Sequence, residues 1–302
     1  MQVNLMNIHM EDTLRQYEAL LTMPNEQRND YFRHTMMKPF RSMWETIHVP
    51  ITAQQPNGYD VVMATQMMGL LPLQHQEGIK KAGKRLQDIR ILELAKETLL
   101  GCIHRIDSAG LAVKAEELIF GAYLADPDKL SSYQGYTGFG GIPGYIIIIL
   151  DPNSYNIPRL PALIVHEFHH NVRFSYFDWN HGNVTLGDYI IIEGLADSFA
   201  TEMYGEELLG PWVANIQGKE LDHCLEVIRG ALDTKGFAEV SSYMFGDEAA
   251  AREGYPAVGL PAGAGYAVGY HVVQFFLKRN HVSIYEATLL STETIIQGSG
   301  MV

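Results

Sequence analysis

The segment that most constrains this chain is HEFHH, residues 166–170, which lies within an apolar stretch. Apolar residues around it recur at helical spacing over three turns, namely Leu160, Leu163, Ile164, Val165, Phe168 and Val172. Pro158 and Pro161 lie at the start of this stretch, and proline is tolerated in the first turn of a helix but not in its interior. The pattern therefore predicts a mostly buried helix that begins near these prolines and carries three histidines.

Two of these histidines stand four residues apart. Positions i and i+4 lie on one face of a helix, so His166 and His170 can direct their imidazoles at one point. One metal ion satisfies two buried imidazoles together, and tetrahedral Zn²⁺ suits this arrangement. Glu167 then lies beside the ion and is placed as the general base that takes a proton from the attacking water. His169 points about 60° to 100° away from both ligand directions, and we predict that it is not a ligand.

A second apolar helix is predicted over residues 188–204, with Asp188 as its cap and Gly205 as its end. Glu193 and Asp197 are four residues apart, so their carboxylates project from one face of a helix that otherwise reads as buried. We interpret Glu193 as the third metal ligand. Asp197 is interpreted as the acceptor that orients a ligand histidine from outside the metal shell.

The same carboxylates also fit a purely structural role. Buried carboxylates need charged partners, and Arg159 and Arg173 flank the first helix in sequence. In this alternative Glu193 and Asp197 are bridged to Arg159 or Arg173 and no metal is needed. Short motifs such as H-E-x-x-H also arise by chance, but the helical context and the spaced Glu with its i+4 Asp favour the metal.

The pattern H-E-x-x-H, a gap of about two dozen residues and then E-x-x-x-D resembles the gluzincin metallopeptidases. The segments IVHEFHHNVR (164–173) and EGLAD (193–197) resemble the YjaZ-like family of predicted zinc-dependent proteases. The resemblance implies an α+β, zincin-like metallopeptidase fold. Its parts are a small sheet, the H-E-x-x-H helix and the glutamate helix, between mostly helical N- and C-terminal parts. It also implies Zn²⁺ as cofactor and a peptide or protein as substrate.

In gluzincins, a donor from beyond the glutamate helix stabilises the charge that develops on the carbonyl oxygen. The matching candidates are Tyr266, Tyr270 and His271, on a helix predicted to begin near Gly265. We favour the tyrosine face, because Gly265 and Gly269 beside it permit close approach to the metal helix. The alternative is that both tyrosines are ordinary core residues.

The remaining sequence predicts a helical N-terminal region at 1–112 and a zincin-like catalytic domain at 113–302. Strand texture appears between residues 115 and 150 around a Gly-rich stretch, 135–144, that lacks the Lys-Ser/Thr pair of a phosphate loop. The resemblance places an edge strand for substrate pairing just before the metal helix, and a tight hairpin or bulge is the alternative. A long Gly/Ala/Pro loop, functional or mobile, is expected over 235–263.

Charge and composition restrict the partners. A net charge of −13 without a basic patch argues against nucleic acid or an anionic membrane as partner. The longest apolar run, Ile146 to Leu150, is too short to cross a bilayer. Two distant cysteines and an N-terminus that lacks the pattern of a signal peptide predict a cytoplasmic protein.

The function predicted from these features is zinc-dependent hydrolysis of peptide bonds by a metallopeptidase. Two alternatives from other classes stay open at this point. One is a metal-dependent amidohydrolase that acts on a non-peptide substrate. The other is a non-catalytic binding or regulatory protein that keeps the zincin fold.

Overall fold

A computed structural model of the chain describes residues 6–55, 58–179 and 181–301. The chain divides into two compact units. The first comprises Met1–Arg105 with Val113–Asn171, and the second comprises Ile106–Ala112 with Val172–Val302. Both units are assembled from separate stretches of sequence, and each is described by itself. The division into 1–112 and 113–302 stays a prediction.

The first unit is built on a four-stranded sheet in the order β1-β2-β4-β3. The strands are β1 Asn7–Met10, β2 Glu117–Leu124, β3 Tyr136–Ile142 and β4 Tyr145–Leu150. β1 pairs with β2 and β2 with β4 in parallel, whereas β3 pairs antiparallel with β4. Residues Ile146 to Leu150 of β4 are all buried. Burial of successive residues means that both faces of this central strand are covered.

The helices of the first unit account for most of its first hundred residues. They are α1 Thr13–Leu21, α2 Asn25–Tyr31, α3 Arg41–Thr46, α4 Val61–Met67, α5 Gln76–Asp88 and most of α6 Ile91–Ser108. A π-helical turn, Phe32–Met36, continues α2. The helical character predicted for the N-terminal region is thus confirmed, as is the α+β class. Strand β1 was not predicted, because four residues are too few to show a strand period.

The Gly-rich stretch is strand β3 rather than a loop. β3 lies at the end of the sheet order and is therefore an edge strand. Its register with β4 shifts between Phe139 and Ile142, which marks a bulge. The alternative, a hairpin with a bulge, is thus confirmed for this segment, whereas the expectation of an edge strand just before the metal helix is wrong. The strand nearest the metal helix in sequence, β4, is central instead.

Helix α7, Leu160–Arg173, carries the HEFHH segment and follows a 3-10 turn, Ile157–Arg159, that contains Pro158. Within the first unit its residue Asn171 holds the connection between β3 and β4. The Asn171 side chain accepts a hydrogen bond from the Gly144 N–H at 2.6 Å and donates one to the Gly140 carbonyl at 2.8 Å. The residue next to His170 therefore fixes the helix to the edge of the sheet.

The second unit is helical. Its complete helices are α8 Leu186–Tyr204, α9 Pro211–Ala214, α10 Lys219–Arg229, α11 Phe237–Phe245, α12 Asp247–Arg252, α13 Ala264–Asn280, α14 Ile284–Ala287 and α15 Thr292–Ser299. The expected long loop over 235–263 is wrong, because α11 and α12 lie inside it. Gly236 and Gly246, with φ of 101° and 85°, precede these two short helices and give the segment its loop-like composition. No helix in the described part of the chain has the length and apolar character to span a membrane.

Helix α8 is capped by Thr185 and not, as predicted, by Asp188. Thr185 Oγ1 accepts a hydrogen bond from the Asp188 N–H at 3.0 Å and donates one to Asp188 Oδ2 at 2.6 Å. The helix therefore starts at Leu186, whose N–H donates to the Thr234 carbonyl, a partner distant in sequence. The predicted end is confirmed, since Gly205 closes α8 with φ of 89°.

Helices α8 and α13 approach each other at two glycines. A Cβ atom on Gly194 would lie 2.1 Å from the Gly269 carbonyl oxygen, and one on Gly269 would lie 2.0 Å from the Ile190 carbonyl oxygen. The expectation that Gly265 and Gly269 approach the metal helix stays a prediction. Gly269 packs against the glutamate helix, and the atoms nearest to a Cβ on Gly265 belong to Met244.

Gly194→Ala should destabilise the protein by about 1–3 kcal/mol, since the new methyl group overlaps the backbone of α13. Gly83→Ala is the control. Gly83 is also helical, a Cβ there meets nothing within 4 Å, and the change should stabilise by about 1 kcal/mol. Urea unfolding measures both changes. A Gly194→Ala protein as stable as the Gly83→Ala protein would contradict the described packing.

Candidate metal centre

Helix α7 brings two of its histidines together. The Nε2 atoms of His166 and His170 are 3.1 Å apart, and the ring centroids lie 4.8 Å apart in an edge-to-face arrangement. Both side chains are buried. This geometry follows directly from the i, i+4 spacing on a regular helix.

Glu193 of α8 joins these histidines in one group. One ligand atom from each of His166, His170 and Glu193 lies within 4.8 Å of the others, and all three residues are buried. No other group of three or more His, Cys, Asp and Glu side chains occurs with this geometry among the described residues. Two imidazole nitrogens and a carboxylate oxygen are a donor set of catalytic zinc sites, which use three protein ligands. The chemistry of these donors fits Zn²⁺.

The residue beside the first histidine, Glu167, lies against the edge strand β3. A Cβ on Gly138 would lie 2.4 Å from Glu167 Oε1, and a Cβ on Gly140 would lie 2.0 Å from the Glu167 carbonyl oxygen. Both glycines face α7, because residues two apart share one face of a strand. Sequence reasoning missed this role. The available signal was the period-two spacing of the glycines, which indicates close backbone approach in a strand.

The described contacts of Arg173 do not support the alternative in which this arginine bridges Glu193 and Asp197 without a metal. Its Nη1 donates to the carbonyls of Thr288 and Leu290 at 2.6 and 2.7 Å, and its guanidinium lies 3.5 Å from the centre of the Phe177 ring. Burial lowers the pKa of Arg173 to about 10, an effect that Asp188 opposes. Arg173 is therefore engaged by backbone carbonyls and a ring. Arg159 donates to the Tyr155 carbonyl at 3.0 Å.

Asp197 and His169 lie on the two helices that bear the group. Asp197 is buried on α8, one turn beyond Glu193, and its charge contributes to the raised pKa of Tyr270. His169 is buried on α7 and is not a member of the group of three. The role of Asp197 as an acceptor for a ligand histidine stays a prediction.

Among the candidate oxyanion donors, Tyr270 has its hydroxyl engaged elsewhere. It donates to Glu206 Oε1 at 3.3 Å and lies 3.5 Å from Thr201 Oγ1. Burial raises the pKa of Tyr270 to about 12. Thr201 follows Glu193 by eight residues, which is about 12 Å along a helix axis. The Tyr270 hydroxyl is thus directed to the C-terminal end of α8.

The other two candidates lie on the same helix, α13. Tyr266 packs against the rings of Trp212 and Phe245, with 6.1 Å between centroids in each case. Burial lowers the pKa of His271, although the Glu206 carboxylate opposes this shift. A lowered pKa keeps the imidazole neutral at neutral pH, which disfavours His271 as a cationic donor. The choice of donor stays a prediction.

Replacing both His166 and His170 by Ala should abolish stoichiometric zinc binding, because only a carboxylate is left from the donor set. The measurement is elemental analysis of purified protein, with circular dichroism to verify folding. His169→Ala is the matched control on the same helix and should retain the metal. Stoichiometric zinc in the folded double variant would refute the assignment.

An α+β chain with a buried His-His-Glu group falls in the class of proteins that can hold a zinc ion on helices. The model of the family described as "Predicted Zn-dependent protease (DUF2268)" matches residues 91–297. The chain belongs to this family, which confirms the resemblance to YjaZ-like proteins and extends it from α6 to α15.

Two relatives from Bacillus subtilis (strain 168) share sequence with this chain. The uncharacterized protein YjfC is 51% identical over 296 residues, which are 98% of this chain and 99% of YjfC. The uncharacterized protein YjaZ is 29% identical over 137 residues, which are 45% of this chain and 49% of YjaZ. No solved structure matches the chain.

Proposed function

We propose that this protein is a zinc-dependent metallopeptidase of the gluzincin type, with a zincin-like fold, that hydrolyses peptide bonds. The observation that carries the proposal is the buried group of His166, His170 and Glu193, which shares helix α7 with the acidic residue Glu167. The description of the family as a predicted Zn-dependent protease supports the same activity.

His166, His170 and Glu193 would hold the ion. When bound, zinc supplies Lewis-acid polarisation of a water molecule and of the scissile carbonyl. Glu167 acts as general base, takes the proton from the attacking water and delivers it to the leaving amine. Asp197 is the proposed acceptor for the outer N–H of a ligand histidine, which fixes the tautomer of that ring.

The edge strand β3 is the proposed site where the substrate backbone binds. An edge strand has N–H and C=O groups that an extended peptide can pair with, and such pairing does not depend on the peptide's side chains. Gly138 brings β3 within contact distance of the Glu167 carboxylate. A peptide paired with β3 is therefore held next to the general base.

The charge on the carbonyl oxygen needs a donor in addition to the metal. Tyr266, Tyr270 and His271 are the proposed candidates. The hydrogen bond from Tyr270 to Glu206 and the lowered pKa of His271 weigh against these two. Tyr266 is consequently the donor that we favour.

We also propose a cytoplasmic location and no nucleic-acid or membrane partner. Cys102 and Cys224 form no disulfide, which fits a reducing compartment. The net charge of −13 would repel nucleic acid and anionic lipid.

Glu167→Gln should retain zinc and lower kcat for peptide hydrolysis about 10²- to 10⁴-fold, because an amide keeps the shape but cannot accept the proton. Glu202→Gln, which changes an exposed carboxylate on α8, is the matched control and should retain activity. A panel of proteins, peptides and non-peptide amides, assayed with and without a zinc chelator, provides the measurement. Chelator-sensitive cleavage of only non-peptide amides would instead favour an amidohydrolase, and full activity of Glu167→Gln would contradict the base assignment.

Gly138→Ala should lower kcat by about tenfold to a hundredfold with zinc content unchanged, since the added methyl group overlaps the Glu167 carboxylate and displaces it. Thr137→Ser on the opposite face of β3 is the control. Steady-state kinetics and elemental analysis are measured on both variants. A wild-type kcat in Gly138→Ala would show that the contact with β3 does not position Glu167.

A further inference from the structure

The second unit carries a series of aromatic side chains that begins one helical turn from Glu193. Tyr189 precedes Glu193 by four residues on α8, so the two side chains leave the same face of the helix. The Tyr189 ring meets Trp179 at 5.9 Å and Phe245 at 6.3 Å between centroids, edge to face in both cases.

The series continues in both directions from Tyr189. Trp179 stacks on Phe174 at 5.2 Å. Phe245 contacts Phe237 at 6.4 Å and Tyr266 at 6.1 Å, and Tyr266 in turn contacts Trp212 at 6.1 Å. We call these seven residues the aromatic row: Phe174, Trp179, Tyr189, Trp212, Phe237, Phe245 and Tyr266.

The aromatic row differs in exposure from the core aromatics of the same unit. None of its seven members is fully buried, and Phe237 is 45% exposed. By contrast, Phe199 and Phe276 are 1% and 3% exposed. The other six members are partly buried, and Trp212 and Tyr266 among them pack against the buried cluster of Leu209, Val213 and Tyr270. A folded chain gains stability by burying such rings, and contacting rings that stay partly exposed are typical of a binding site.

The chemistry of the aromatic row fits apolar side chains of a peptide. The polar atoms of the row are tyrosine hydroxyls and indole N–H groups, of which the Trp212 Nε1 atom is buried, and none of its side chains is charged. Bulky apolar or aromatic side chains match this surface, whereas charged side chains would lose hydration on it.

We propose that the aromatic row binds bulky apolar or aromatic side chains of the peptide substrate and so selects substrates that carry them near the scissile bond. This inference rests on the proposed function, because it names the substrate class of the same site. The peptide substrate is the proposed occupant of the row because the row begins beside the proposed metal site: Tyr189 and the proposed ligand Glu193 share one face of α8.

The test uses the zinc-loaded Glu167→Gln protein, which should bind peptides without cleaving them. Two fluorescently labelled peptides of Gly, Ser and Thr are compared by fluorescence anisotropy. They differ only in having Phe or Ala at two central positions. The Phe peptide should bind about tenfold to a hundredfold more tightly, as expected for burial of large apolar side chains.

Substitutions in the aromatic row then test whether the row causes the preference for the Phe peptide. Trp179→Leu and Tyr189→Leu, each combined with Glu167→Gln, should bring the ratio of the two affinities close to one. Phe275→Leu is the matched control, since Phe275 is 54% exposed on α13 but lies outside the aromatic row, and it should leave the ratio unchanged. Circular dichroism verifies the fold of each variant.

The outcomes separate this inference from the proposed function. Equal affinity for the two peptides in Glu167→Gln alone overturns the role of the aromatic row, whether or not the row variants fold. The role of the row is also overturned if Phe275→Leu lowers the ratio of the two peptide affinities as much as Trp179→Leu and Tyr189→Leu do. If the wild-type enzyme cleaves both peptides at equal rates, the peptidase function is supported and the role of the aromatic row in substrate selection is overturned. Tight, row-dependent binding of the Phe peptide with no cleavage supports the row and removes the peptidase function.

Discussion

A buried helix must satisfy its own polar side chains, and the rest of this structure depends on how α7 does so. Six polar residues of this helix are buried, namely His166, Glu167, His169, His170, Asn171 and Arg173. Each would lose free energy on leaving water without a partner. Asn171 finds its partners in the connection between β3 and β4, and Arg173 finds carbonyls at 288 and 290. A metal shared with Glu193 is the partner that suits His166 and His170.

The acidic residues proposed for the chemistry lie where backbones meet at glycines. Gly140 of β3 packs against the backbone of Glu167, and Gly194, which follows Glu193 directly, packs against the backbone of α13 at Gly269. In both places glycine has no side chain, so its backbone packs directly against a neighbouring element. This close packing leaves little room for movement. Such packing favours a fixed position for the attached carboxylate, and catalytic groups are effective when they are held in place before substrate binds.

Local periodicity explains how much of this arrangement could be predicted from sequence. The i, i+4 spacings of His166 with His170 and of Glu193 with Asp197 are properties of single helices, so both helices and the candidate ligands followed from them. Contacts between distant segments were not accessible in this way. The Leu186 N–H at the start of α8 donates to the distant Thr234 carbonyl, and α11 and α12 are concealed by flanking glycines. The partner of Gly269 likewise depends on tertiary packing alone.

Tyr266 connects the proposed chemistry with the proposed selection of substrate, because it is both an oxyanion candidate and a member of the aromatic row. The two roles use different parts of the side chain. The ring packs against Trp212 and Phe245, whereas the hydroxyl is at the polar tip of the ring. Two ring neighbours restrict the rotamer of Tyr266 and thereby the position of its hydroxyl. A donor that needs no reorientation stabilises developing charge best, so packing within the row would serve catalysis as well as binding.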